Sequence, residues 1–182
     1  GLRYIPRMEV WRPCDATETA TAWIAAAENA DNPTSLVLSR QGMGFNARNN
    51  DQIANIKKGG YVLSDCDEAP KVIFIATGSE VDLAVGAQAL LKEEGVSARV
   101  VSMPCTQAYD RQDKSYKDSV LTPGVKRVSV EAGVTDFWRK YIGLDGAAVG
   151  IDTYGESAPG KVVLEHFGFT VDNVVATAKS IL

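Results

Sequence analysis

Histidine is almost missing from this chain: 182 residues contain one, His166. Most acid–base and nucleophilic schemes lean on an imidazole. His166 lies in a helical pattern with little around it to tune it, so it reads as structural or solvent-facing. Cysteine is sparse too. Cys14, Cys66 and Cys105 are odd in number, widely spaced and form no CxxC pair. With a single histidine to join them, they argue against a zinc site and against a disulfide framework. Reduced, mostly buried thiols in a cytoplasmic protein are the expectation. No apolar run approaches the roughly 20 residues that a membrane helix needs. Residues 1–6 lack the charged, apolar and cleavage-site layout of a signal peptide. A basic excess is also absent. The net charge is −4, and Lys57-Lys58 is the one dense basic pair. That argues against nucleic acid, whose phosphates need clustered Lys and Arg.

What is present is a globular composition, 45% hydrophobic and 23% charged, long enough for one domain or one domain plus part of another. Two blocks emerge. In the first, residues 1–42, Glu9-Val10-Trp11-Arg12-Pro13 reads as a short strand stopped by proline. Asp15-Ala16-Thr17-Glu18 has the form of a capping box. It opens a helix over 16–29 whose expected inward stripe is Ala20, Trp23, Ile24 and Ala27. Residues 35–39 make the next strand, parallel to the first by the right-handed crossover rule. Two parallel strands cannot stand alone, because such strands want both faces covered. The unit is therefore an orphaned sheet edge.

Residues 43–68 are polar and glycine-bearing, and are expected to connect two domains. A short helix near 51–57 and a strand at Tyr61-Val62-Leu63 fit inside this stretch. The second block, 69–182, alternates strands near 71–76, 98–104, 127–130 and 147–151 with helices, the last two over 160–167 and 171–181. That rhythm predicts an α/β domain of three layers, α/β/α, around a mainly parallel, mixed sheet of about five strands.

Chemistry is thin. Thr77-Gly78-Ser79-Glu80 joins a strand to a helix, as phosphate cradles do. It has one glycine where a dinucleotide fingerprint has three, and no P-loop lysine. It is expected to be a capped helix start, with Glu80 answering the helix dipole. Glu131 ends a strand, and Asp136 could accompany it. With no nucleophile or histidine nearby, a structural or interface role is expected. Gly155-Glu156-Ser157-Ala158-Pro159 reads as a loop and helix start, with Ser157 as cap. Only Arg40, in Leu38-Ser39-Arg40-Gln41, combines chemistry with position. It follows an apolar strand at the sheet edge where ligands usually sit. Its guanidinium is a rigid fork of donors suited to phosphate or carboxylate.

Several segments carry a resemblance to a known family. Val10-Trp11-Arg12-Pro13-Cys14-Asp15, Leu38-Ser39-Arg40-Gln41, Gly59-Gly60-Tyr61-Val62-Leu63, Ala76-Thr77-Gly78-Ser79-Glu80-Val81, Arg99-Val100-Val101-Ser102-Met103-Pro104, Gly155-Glu156-Ser157-Ala158-Pro159 and Phe167-Gly168-Phe169-Thr170 resemble, in this order, segments of transketolases, most of all bacterial ones. The resemblance implies a C-terminal piece: 1–42 as the tail of the pyrimidine-binding domain, 43–68 as connector, and 69–182 as the complete third domain. It implies an activity of the whole enzyme, transfer of a two-carbon ketol unit between ketose and aldose phosphates in the pentose phosphate pathway. That activity depends on thiamine diphosphate and a divalent cation, Mg or Ca, in a cytoplasmic homodimer. The diphosphate motif, the activating glutamate and the substrate-channel histidines have no counterpart here. This piece alone is therefore expected to be inactive and to hold neither cofactor nor metal. Residue for residue, one family site maps onto the chain: Arg40 resembles the arginine that holds the substrate phosphate. Two other readings stay open. One is a non-catalytic interaction or regulatory domain, motivated by the sheet-end residues Ser129, Glu131, Thr153 and Ser157. The other is the matching domain of another thiamine enzyme, such as a ketoacid dehydrogenase subunit.

Overall fold

The computed structural model describes residues 1–182. Strand β1 (Glu9–Trp11), helix α1 (Ala16–Glu28) and strand β2 (Thr34–Leu36) form the first block, with β1 and β2 in parallel register, Trp11 opposite Leu36. They make a sheet of only two strands. The capping box at α1 is half formed. Asp15 accepts from the Glu18 amide at 3.0 Å, but the Glu18 carboxylate accepts from the Cys14 amide instead of reaching Asp15.

The inward stripe expected for α1 is reversed. Ala20, Trp23, Ile24 and Ala27 all face solvent, Trp23 60% exposed, while Glu18 and Ala22 are buried. The reason is what lies on each side. The Glu18 face meets the second block, and a sheet of two strands has no neighbour to cover the Trp23 face.

Helix α2 (Asn50–Ile56) begins with a complete capping box between Asn49 and Gln52. Strand β3 (Tyr61–Ser64), expected within the connector, is the antiparallel edge of the main sheet, paired with β5 (Ala98–Ser102). That sheet is completed by β4 (Val72–Ala76), β6 (Lys126–Val130) and β7 (Ala147–Val149), in spatial order β3-β5-β4-β6-β7. All pairings except β3–β5 are parallel. Every residue of β4 is buried, as a central strand covered on both faces demands.

Alternation along β4 sorts the two cores. Val72, Phe74 and Ala76 pack with Val81, Ala84, Ala87 and Leu91 of α3 (Val81–Glu93) and with Val174 and Ala178 of α8 (Val171–Lys179). Ile73 and Ile75 pack on the opposite face with Tyr109 of α4 (Thr106–Asp110), Val120 of α5 (Lys114–Val120), Tyr141 and Ile142 of α6 (Arg139–Ile142), and Trp138. The result is the three-layer α/β/α fold with a mixed five-stranded sheet. Helix α7 (Gly160–His166) carries the exposed His166, whose ring meets Phe167 edge-on. Thr170 caps α8 through the Asn173 amide, as expected. Ser157 caps nothing: it is exposed, and Pro159 occupies the N-cap position of α7 without a side-chain bond.

Candidate functional site

Beyond β2 the chain keeps one more sheet-like bond, from the Val37 amide to the Trp11 carbonyl at 2.8 Å, and then bends outward. That bend presents Arg40, exposed, at the carboxyl end of the strand. Arg40 and Gln41 form one wall of a cleft of about 930 Å³. The facing wall comes from the second block: Pro159, Gly160 and Lys161 at the start of α7, with Leu83, Leu164 and Phe169 beneath. The site thus joins both blocks. It brings a second cation, Lys161, near Arg40, and one carboxylate, Glu165, onto the rim. Periodicity could not reveal Lys161, because its approach depends on how the blocks dock.

The docking is both apolar and ionic, since Trp11, Cys14 and Ala22 join the core of the main sheet. Arg12, directly after β1, inserts into the carboxyl edge of the main sheet. Its amide donates to the Pro104 carbonyl at 2.8 Å, and its carbonyl accepts from the Gly78 amide at 3.0 Å and the Thr77 hydroxyl at 3.2 Å. Its guanidinium spans Glu131 at 2.5 Å and Glu80 at 3.1 Å. Glu131 also takes Arg3 at 2.5 Å and the Trp138 indole N–H at 2.8 Å. Glu80 does not play the helix-start role expected of it. Thr77 makes no side-chain cap, residues 78–80 form a 3₁₀ turn ahead of α3, and the buried Glu80 carboxylate holds Arg12 and the Ala132 amide instead of answering a helix dipole. Of the other residues considered with Glu131, Thr153 and Ser157 stand exposed on the loop after β7, and Ser129 is buried with its hydroxyl unpaired.

Burial by itself would raise the Glu131 carboxyl, but the hydrogen bonds and charges of Arg3 and Arg12 outweigh it and hold the group below its ordinary 4.5. The folded state therefore binds this proton more weakly than the unfolded chain. The stability that Glu131 contributes is complete above 4.5 and disappears as pH falls through the lower folded value. Replacing Glu131 with Gln is expected to flatten the acid limb of stability below about pH 4.5, measured by urea midpoints from pH 7 down to about 3. An acid limb identical to the parent's would count against the pairing.

A second buried cluster clasps α1 to the main sheet. Glu18, fully buried, accepts from Ser102 Oγ at 2.6 Å, Tyr61 OH at 2.8 Å and the Cys14 amide at 2.8 Å. Arg48 completes it, 2.5 Å from Asp15 and 3.5 Å from Glu18. Burial, followed by the charges of Glu18 and Asp15, pushes the Cys14 thiol far up and leaves it inert as a nucleophile. Cys105, also buried, is pushed up to about 12 by desolvation. No three His, Cys, Asp or Glu side chains stand together as a metal site, and no helix is long and apolar enough to cross a membrane. These residues do not fit a divalent cation.

Residues 1–45 match the model of the transketolase pyrimidine-binding domain, and residues 59–170 match the transketolase-like C-terminal domain. The chain is 58% identical over its whole length to Transketolase 1 of Escherichia coli (strain K12), of which it covers 28%. Among solved structures it resembles transketolase from Leishmania mexicana, with TM-score 0.89 and 40% identity, over 99% of this chain and 26% of that one. It also resembles a Pichia stipitis transketolase complexed with sedoheptulose-7-phosphate, with TM-score 0.89 and 36% identity, over 98% and 26%. The chain spans little more than a quarter of these relatives, and its matches lie in the pyrimidine-binding and C-terminal domains. An origin in another thiamine enzyme is thereby set aside: the chain belongs to the transketolase family.

Proposed function

We propose that this chain works as the end of a longer thiamine diphosphate-dependent enzyme that transfers a two-carbon ketol unit between sugar phosphates. Within it, Arg40 grips the substrate phosphate. One observation carries the reading: a guanidinium at the carboxyl end of β2, exposed on the wall of a cleft between the two blocks and engaged by no carboxylate. A planar, permanently charged fork there anchors the remote end of the substrate. That binding energy holds the reacting carbonyl in place. The cofactor, when bound in the whole enzyme, supplies the carbanion chemistry. This chain's own residues bind and orient. The Pichia stipitis relative, whose complex contains a seven-carbon ketose phosphate, supports the substrate class. We further propose that the working form is a homodimer of full-length chains in the cytoplasm, and that 1–42, 43–68 and 69–182 are domain tail, connector and third domain.

In the full-length enzyme, Arg40→Ala is expected to raise KM for phosphorylated substrates roughly tenfold to a hundredfold. That range corresponds to the loss of one charge-assisted contact, about 1.5–3 kcal/mol. Activity on an unphosphorylated acceptor should change little. Steady-state kinetics on paired acceptors with and without the phosphate decides it, and an unchanged KM removes Arg40 from the site.

A further inference from the structure

The main sheet has a place where a ligand is expected and none is needed. From β4 the chain crosses to β5 on one side, and from β6 it crosses to β7 on the other. The crevice outside the carboxyl ends of β4 and β6 is therefore the topological switch point, the usual ligand site of an open α/β sheet. Two carboxylates stand in it, Glu80 in the turn after β4 and Glu131 at the end of β6, both buried. Between them lies Arg12 of the other block. Of the motif that looked like a phosphate cradle, Thr77, Gly78 and Glu80 all turn to this arginine. The Thr77 hydroxyl and the Gly78 amide hold its carbonyl, and Glu80 holds its guanidinium. Ser79 in turn donates to Glu80 at 2.5 Å. Gly78 has φ +60, and a Cβ there would lie 3.3 Å from Arg12 Nη2, so both its backbone and its bareness serve the fit.

We infer that Thr77, Gly78, Glu80 and Glu131 form an arginine socket whose occupant, Arg12, positions Arg40 for phosphate binding. This rests on the reading of Arg40 given above. The path is short. Trp11, the neighbour of Arg12, is registered on Leu36 and bonded to Val37, and Arg40 follows three residues later. The opposite wall, at Pro159, Gly160 and Lys161, belongs to the domain that carries the socket. Filling the socket therefore fixes the width of the cleft. The clasp of Glu18, Asp15 and Arg48 holds α1 independently. Loosening the socket frees the β1–β2 end without detaching the block.

The test uses the full-length enzyme with Glu131→Gln, Arg40→Ala, and both together, on a phosphorylated and an unphosphorylated acceptor. Glu131→Gln is expected to raise KM for the phosphorylated acceptor about tenfold, the scale of a misplaced rather than a missing contact. Turnover on the unphosphorylated acceptor should stay within about twofold, which a general loss of structure would not permit. The double variant should be no worse than Arg40→Ala alone, because a positioning residue has nothing left to position. Arg12→Lys, which keeps the charge but cannot span both carboxylates, should show the same selectivity more weakly. Additive effects of the two substitutions, or equal losses on both acceptors, would overturn the socket's positioning role. A neutral Arg40→Ala sinks the Arg40 reading and this inference together. A selective Arg40→Ala beside a neutral Glu131→Gln sinks the inference alone.

Discussion

Replacing Glu18 with alanine is expected to lower the stability of this chain by about 3–5 kcal/mol, the scale of breaking a buried ion pair from one side. The size follows from what is left behind. Arg48 loses a partner at 3.5 Å, and two hydroxyls and one amide, from Tyr61, Ser102 and Cys14, lose their acceptor inside a site closed to water. Each stranded donor carries a desolvation penalty. Arg48 keeps Asp15 at 2.5 Å, which prevents a larger loss. Glu18→Gln keeps an acceptor oxygen and the volume, so it should cost clearly less than Glu18→Ala. Urea unfolding with m unchanged measures both. A loss below about 1 kcal/mol for alanine would mean that water enters the cluster and that the clasp is not dry.

That prediction was beyond the sequence, and the reason is general. Helix periodicity ranks the faces of α1 by hydrophobicity, and by that measure Trp23 and Ile24 belong inside. A face is buried only where something covers it. On α1 the covering element is the edge of the main sheet, which reaches it through Tyr61 and Ser102. Strands that needed no outside partner were legible. The run Val72-Ile73-Phe74-Ile75-Ala76 states its own double burial, and the alternation of strands and helices after it fixes the three layers. The site divides in the same way. Arg40 was visible because its position follows from local order, a charged residue just past a strand. The socket was not, since Arg12, the Thr77–Glu80 turn and Glu131 are far apart in sequence and each has a plausible local role. Buried ionic networks of this kind are contracts between distant segments, and no spacing rule encodes them.

The second large effect concerns backbone rather than charge. Gly59→Ala is expected to destabilise the chain by about 2–5 kcal/mol, the sum of a left-handed residue and an overfilled core. Gly59 has φ +84, and a Cβ built on it would lie 2.2 Å from the Cys105 carbonyl oxygen and 2.6 Å from both Ala108 Cβ and the Tyr109 amide nitrogen. Backbone atoms cannot swing aside as a side-chain tip does. The Cys105 amide also donates to the Gly59 carbonyl at 2.9 Å, so the turn before β3 and the start of α4 are locked together. Helix α4 is seated on this bare glycine, and the contact orders it. Gly95 supplies the control. Its φ is +75, yet nothing lies within 4 Å of its Cβ position. Gly95→Ala should therefore lose only the conformational part, about 1 kcal/mol. The difference between the two variants isolates the steric contribution. Equal losses at both sites would show that α4 moves away freely and that the lock is not formed.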